Sequence, residues 1–173
     1  CPKCHQQLHL ENKTLKCENN HCYDISKRGY INLLLNPDKA TNNPGDSKES
    51  LVARKAYLNK GYYDPILNQV ITCIDEFKHQ DDLSILDLGC GEGYYTQGLK
   101  KHFENSDIYG LDISKIAIDM ATRYRKDVTW LVGNSKNIPI LDHSLDFICA
   151  LFTVVNQDEL KRALKEDGYI VHV

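Results

Sequence analysis

The sequence predicts an α/β protein, a Rossmann-like doubly wound parallel sheet preceded by a small zinc-ribbon-like module at its N-terminus. Three observations predict it. From Ser84 onward, short apolar runs alternate with amphipathic stretches, the pattern of strand–helix–strand crossovers. The first run, Ser84-Ile85-Leu86-Asp87-Leu88, leads straight into Gly89-Cys90-Gly91-Glu92-Gly93, a glycine loop that lets backbone approach a ligand. Four of the seven cysteines fall within the first 22 residues, a stretch too short to hold a core by itself.

Length and composition set the outer limits. With 173 residues the chain can bury one good core plus a small appendage. Its 42% hydrophobic and 26% charged residues are those of an ordinary soluble globular protein. No apolar run approaches the roughly 20 residues of a membrane helix, and no signal peptide precedes Cys1, so a cytoplasmic protein with no membrane partner is expected. A start without methionine and an end inside the strand-like run Tyr169–Val173 lead us to expect a fragment of a longer protein. The net charge of −3 hides an asymmetry. Residues 1–60 carry ten Lys or Arg against six Asp or Glu, and residues 61–173 carry eleven against eighteen. A polyanionic partner would therefore meet the front end first.

Cys1-Pro-Lys-Cys4, twelve residues, then Cys17-Glu-Asn-Asn-His21 is a Cys-x2-Cys-x12-Cys-x3-His pattern. Leu8–Leu10 and Thr14–Lys16 across Asn12-Lys13 read as a hairpin that carries the second ligand pair round to the first. Three thiolates and an imidazole suit tetrahedral Zn²⁺, and a closed set of four leaves no open position, so the metal is structural. Cys22 follows His21 directly and is an alternative fourth ligand. Beyond it, Lys27-Arg28 between Tyr23 and Tyr30 has the cation-and-aromatic mix that grips single-stranded or looped RNA. The same tyrosines could instead pack the small zinc core.

Residues 36–46, with Pro37, Pro44, Gly45 and several Asn, form a polar linker between the zinc module (1–35) and the rest. Two lead-in helices occupy 47–80. Ser47 caps the first, which runs to about Lys60, and Asp64 caps the second, with Pro65 its first helical residue. Residues 81–173 then carry the sheet domain, incomplete at its C-terminal end. Its loop separates two ligand classes, because an NAD fingerprint needs Gly or Ala at the sixth position and Tyr94 stands there.

Asp87-Leu-Gly-Cys-Gly-Glu-Gly93 resembles instead the first motif of class I S-adenosylmethionine (SAM)-dependent methyltransferases. The resemblance sharpens with the other motifs. The zinc pattern, Gly29-Tyr-Ile-Asn-Leu-Leu34, Pro44-Gly-Asp-Ser47, Ala53-Arg54 with Leu58 and Gly61-Tyr-Tyr63, and Leu86 through Thr96 are together similar to the bacterial large-subunit (23S) ribosomal RNA (guanine-N1)-methyltransferases. That resemblance implies SAM bound by Asp87, Gly89, Cys90, Gly91, Gly93 and Tyr94, a strand order of 3-2-1-4-5, and a hairpin of 23S rRNA as partner.

The remaining elements follow in order. Gly93–His102 is the first helix of the domain, and Ile108-Tyr-Gly-Leu-Asp112 is a second strand ending in a carboxylate about twenty residues past the glycines, where such folds hold ribose hydroxyls. Ile113 would sit beside the adenine. Ser114–Arg125 is a helix and Val128–Val132 the third strand. The loop after it offers Asn134 and Ser135 to the adenine edge or serves as a plain turn. Asp146–Phe152 is a central strand, Asp158–Lys165 a helix, and Asp167-Gly168 turns into a fifth strand.

Methylation at guanine N1 needs a base to remove the ring proton, and Asp46 in the linker is the candidate, with helix capping beside Ser47 as its other role. Two further readings stay open: a small-molecule or protein methyltransferase with the zinc module as a lid, and a noncatalytic zinc-ribbon RNA-binding protein. The resemblance fades after Phe152, where Thr153-Val-Val-Asn156 replaces an expected proline turn. A homodimer is left open.

Overall fold

A computed structural model describes residues 1–35 and 45–173, so most of the expected linker lies outside the described residues. The front module is a three-stranded antiparallel sheet of β1 (His9–Glu11), β2 (Thr14–Lys16) and β3 (Cys22–Asp24). β1 and β2 make the expected hairpin, which turns at Asn12 with φ 60, a left-handed conformation that Asn tolerates. β3 has three residues and no readable alternation. Its pairing of Tyr23 with Leu15 is fixed by the module's tertiary arrangement.

β4 (Ile31–Asn32) leaves the module and joins the large sheet. α1 (Lys48–Leu58) follows, capped as expected by the Ser47 hydroxyl, which accepts from the Ser50 amide at 3.2 Å. α2 (Asp64–Phe77) begins one residue earlier than the sequence suggests. Tyr63 is its N-cap and Asp64 its first helical residue, leaving the Asp64 carboxylate to accept the Tyr94 hydroxyl.

The sheet domain then alternates: β5 (Ser84–Leu88), α3 (Tyr94–His102), β6 (Asp107–Asp112), α4 (Lys115–Ala121), β7 (Thr129–Val132), β8 (Leu145–Ala150), α5 (Gln157–Ala163) and β9 (Leu164–His172). α4 stops short of the expected Arg125. The Arg125 carbonyl accepts the Trp130 indole N–H at 2.8 Å, which ties that stretch to β7. β9 starts at Leu164, opposite Leu145, and passes a register shift before Tyr169 pairs with Phe147. Asp167-Gly168 thus lies inside the strand, where the extra residues are accommodated.

All ladders of the large sheet are parallel, in the order β4-β7-β6-β5-β8-β9. This is the expected 3-2-1-4-5 with β4 added outside β7. Both faces are covered, which is why the strands read as near-continuous apolar runs. One face packs Ile85, Ile108, Trp130, Phe147 and Cys149 against Val70 and Ile74 of α2, Leu99 of α3 and Ile118 of α4. The other packs Leu86, Leu88, Leu111, Leu131 and Ile148 under Leu160 and Ala163 of α5, with Leu8 and Tyr23 of the zinc module against it. Among the described residues, no helix is long and apolar enough to cross a membrane.

Candidate functional site

The metal site is built by the β1–β2 hairpin, which brings Cys17 and His21 to the Cys1–Cys4 turn. His21 Nδ1 lies 3.5, 3.5 and 3.4 Å from the sulfurs of Cys1, Cys4 and Cys17, and Cys4 and Cys17 sulfurs are 3.6 Å apart. A tetrahedron with bonds of about 2.3 Å to sulfur and about 2.0 Å to nitrogen has edges of about 3.8 and about 3.5 Å, so the set fits one Zn²⁺. Cys22 is exposed and its sulfur meets the Asn20 carbonyl, so His21 completes the set.

The glycine loop opens a crevice at the C-terminal ends of β5, β6 and β8. Two hollows flank Gly89. One, of about 290 Å³, is lined by Arg54, Tyr63, Asp87, Gly91, Glu92, Tyr95 and Phe152 among others. The other, of about 120 Å³, is lined by Asp112, Ile113, Asn134, Ser135 and Thr153. Together they fall within the roughly 300–1,000 Å³ of small-molecule sites, at the switch point of the sheet where open α/β folds bind ligands. Gly89 has φ +74, and a Cβ there would run into the Thr153 side chain. A somewhat larger hollow, about 320 Å³, lies between the zinc module and the opposite strand ends and is lined mainly by leucines and isoleucines. It holds no part of the glycine loop.

The hydrogen bonds of the loop decide what it can hold. The amides of Gly89 and Cys90 both donate to the Leu111 carbonyl, at 2.8 and 3.1 Å. Gly91 donates to Asp112 Oδ2 at 2.9 Å and Gly93 to the Cys90 carbonyl at 2.9 Å. A pyrophosphate needs such N–H groups free, and these four are spent inside the protein. Around them stand acids. Burial pushes the Asp87 carboxyl up to about 7, although Thr96 Oγ1 donates to it at 2.5 Å. Burial also raises Glu92, whose Oε1 has no hydrogen-bond partner among the described residues, and Asp112, against the pull of the Ser114 and Gly91 amides. Desolvation penalises the charged form of each of these carboxyls, a cation beside them relieves that penalty and an anion adds to it, so the crevice favours a cationic ligand over an anionic one.

Most of the sequence-predicted cofactor residues come together here, in different ways. Asp112 faces the smaller hollow with Ile113, Asn134 and Ser135. Its Oδ1 accepts the Ser114 amide at 2.7 Å, and each oxygen keeps a second lone pair for a ribose hydroxyl. Asp87, Gly91 and Tyr94 line the larger one. Cys90 contributes backbone there, while its buried side chain belongs to the core cluster around Trp130. Gly93 lines neither hollow. A Cβ on it would sit 2.6 Å from the Trp130 ring, so it serves helix packing. Asp46 also lines neither. It pairs with Arg54 at 2.7 Å, and Ser47 alone caps the helix. Lys27 and Arg28 are exposed, with Arg28 bound to Asp119 of α4 at 2.7 Å. Tyr30 is buried in the sheet-domain core with Ile118 and Trp130, and the Tyr23 hydroxyl lies 3.5 Å from the Cys1 sulfur, so of the two flanking tyrosines only Tyr23 packs the zinc site.

The sequence reading missed Arg54, Tyr63, Glu92, Tyr95 and Phe152 as lining residues. Arg54 and Tyr63 were visible as motif positions, yet no local pattern says that α1 and α2 fold back over the loop. No residue of 1–35 lines either hollow, so among the described residues the zinc module is not their lid.

Comparisons with known proteins agree with this geometry. Residues 85–168 match the family described as a methyltransferase domain, and residues 1–40 match that described as RlmA, N-terminal, a zinc ribbon. A 23S rRNA (guanine(748)-N(1))-methyltransferase of Streptomyces fradiae is 29% identical over 175 residues, covering 100% of this chain and 61% of that protein. A Bacillus subtilis protein with the provisional name 23S rRNA (guanine-N(1)-)-methyltransferase YxjB is 31% identical, covering 100% of this chain and 62% of its own length. The chain thus spans a little over three fifths of the curated relatives it matches. Among solved structures, a TehB-like SAM-dependent methyltransferase of Corynebacterium glutamicum is 26% identical with a TM-score of 0.54, covering 72% of this chain and 70% of that one.

Proposed function

We propose that this chain, which belongs to the zinc-ribbon methyltransferase family of the 23S rRNA (guanine-N1)-methyltransferases, methylates N1 of a guanine in a hairpin loop of 23S rRNA with SAM as donor. One observation carries the reading: a glycine loop with four of its amides already bonded, ringed by the buried acids Asp87 and Glu92 and the half-buried Asp112, suits a sulfonium bearing an ammonium group and not a dinucleotide. When bound, SAM supplies an electrophilic methyl group. The protein's own residues do the rest. Asp112 takes the ribose hydroxyls, Ile113, Asn134 and Ser135 border the adenine, and the Gly89–Gly91 carbonyls and Asp87 face the methionine end. Asp46, paired with Arg54, which lines the larger hollow, is the carboxylate we assign to receive the N1 proton. Lys27 and Arg28 extend the basic front to the RNA backbone.

The intact protein, incubated with methyl-labelled SAM and 23S rRNA from cells lacking the modification, is expected to label one guanine. The N1-methyl group blocks the pairing edge, so reverse transcription stops there. Labelling of protein or small molecules in place of rRNA contradicts the proposal. Neutralising Lys27 and Arg28 is expected to weaken RNA binding and to shallow its salt dependence by about one per charge removed.

A further inference from the structure

The zinc knuckle lines neither hollow of the crevice, yet one hydrogen bond runs from it to the loop that borders the smaller one. Asn137 Nδ2 donates to the carbonyl of Pro2 at 2.9 Å. Pro2 is buried and lies between the ligands Cys1 and Cys4, so its carbonyl is fixed when the Cys-x2-Cys turn is fixed on a metal. At the other end, residues 134–137 close a tight turn. The Asn137 amide donates to the Asn134 carbonyl at 3.1 Å, and the Lys136 amide donates to Asn134 Oδ1 at 3.0 Å. The half-buried Asn134 side chain, which lines the smaller hollow with Ser135, is thus held by the turn that Asn137 ends. The flanks of the turn are anchored too. Before it, the Gly133 amide donates to the Asp112 carbonyl at 3.0 Å. After it, from α5, Glu159 accepts the Ile138 amide at 2.7 Å, and Arg162 donates to the carbonyls of Ile138 and Ile140 at 2.7 and 2.9 Å. Among the described residues, the bond to Pro2 is the one hydrogen bond that leaves 134–137 for another part of the fold.

We propose that Asn137 is a positioning residue that ties the zinc knuckle to the adenine loop, so that the metal site sets how Asn134 and Ser135 meet the adenine edge. The proposal rests on the cofactor reading above and adds a coupling between two sites. Reading a base edge by hydrogen bonds requires donors and acceptors held to within about 0.5 Å, which a four-residue turn cannot do without outside support. Asn137 supplies that support at both ends of the link. Its side-chain amide reaches out to Pro2 while its backbone N–H closes the turn on Asn134. Ala in its place would leave the Pro2 carbonyl without this donor, and Asp, of the same shape, would set an acceptor against an acceptor. Apolar contact backs the link, because Pro2 and Leu8 share the hollow under the zinc module with Ile138, Pro139 and Ile140. The zinc module thereby acts on the adenine end of the crevice without lining it. Coupling of this kind is reciprocal, so a ligand that orders the loop also acts back on the metal site.

The test uses the intact, zinc-loaded protein and two ligands that differ only at the purine edge, S-adenosylhomocysteine and S-inosylhomocysteine, in which a carbonyl replaces the adenine amino group. The wild type is expected to prefer S-adenosylhomocysteine by about tenfold or more in isothermal titration. Asn137→Ala and Asn137→Asp are expected to lower S-adenosylhomocysteine affinity about fivefold, the order of one hydrogen bond, and to leave S-inosylhomocysteine affinity unchanged. A merely structural role would weaken both ligands alike. With cadmium in place of zinc, the metal's NMR resonance is expected to move when S-adenosylhomocysteine binds the wild type and to stay in place in Asn137→Ala. Retained S-inosylhomocysteine binding and one metal per chain show that the variants are folded. Variants that keep the wild-type preference, variants that lose both ligands equally, or a wild type that binds the two ligands equally overturn the coupling alone. So does a cadmium resonance that responds alike in wild type and variant. A wild type that binds neither ligand overturns the cofactor reading and the coupling together.

Discussion

Asp87 shows how one residue's surroundings set a pH dependence. Its carboxyl sits at about 7 in the folded chain against an ordinary 3.8, because burial penalises the charged form. Between about pH 4 and 7 the folded state holds a proton that the unfolded state has lost, so stability falls as pH rises through that window. Asp87→Asn is expected to flatten that slope in urea unfolding at a series of pH values. For a cationic ligand the sign is opposite: ionising Asp87 improves the site, so S-adenosylmethionine affinity is expected to rise as pH climbs through 7. Gly93 is the other residue with a sharp expectation. With φ +86 and Trp130 at 2.6 Å from an added Cβ, Gly93→Ala is expected to cost about 1–3 kcal/mol in thermal unfolding without touching the crevice lining. Asp112 was legible because a carboxylate closes its strand run, and Asp87 because it opens the motif that carries the family resemblance. Tyr95 and Phe152 were not, since an aromatic beside an apolar run reads as core until the fold sets it against the crevice.

At the scale of elements, the zinc hairpin and the strand–loop–helix at β5–α3 follow from local chemistry and were readable from spacing alone. The choice between His21 and Cys22 was not, because adjacent residues share a spacing and only the turn at Asn20, with φ 61, points the imidazole inward. His21→Ser is therefore expected to abolish stoichiometric zinc retention, while Cys22→Ser retains one zinc per chain. Metal analysis after gel filtration reads the difference, and the reverse pattern would contradict the assignment. α1 and α2 were equally legible as helices, down to the Ser47 cap. What they cover was not, since a helix pattern gives its apolar face and not the partner of that face. Arg54 and Tyr63 reach the crevice through that packing.

For the whole molecule, the expected strand order appears with β4 added, and β4 joins two parts that composition separates. Ile31 and Asn32 pair with Leu131 and Val132, the Leu33 amide donates to the Val132 carbonyl at 2.8 Å, Asn137 donates to the Pro2 carbonyl at 2.9 Å, and Arg28 meets Asp119. A two-residue strand carries no period, so this fusion was invisible in sequence. Zinc removal is accordingly expected to lower the melting of the chain as one transition, by scanning calorimetry with and without chelator. Two separate transitions would contradict a shared core. The central claim is that a SAM-type ligand lies along the glycine loop with its sugar on Asp112, and isothermal titration with S-adenosylhomocysteine tests it most directly. Saturable one-to-one binding, weakened about tenfold or more in a folded Asp112→Ala variant and absent for NAD, is the predicted result. No binding to the folded wild type, or equal binding to the variant, would contradict it.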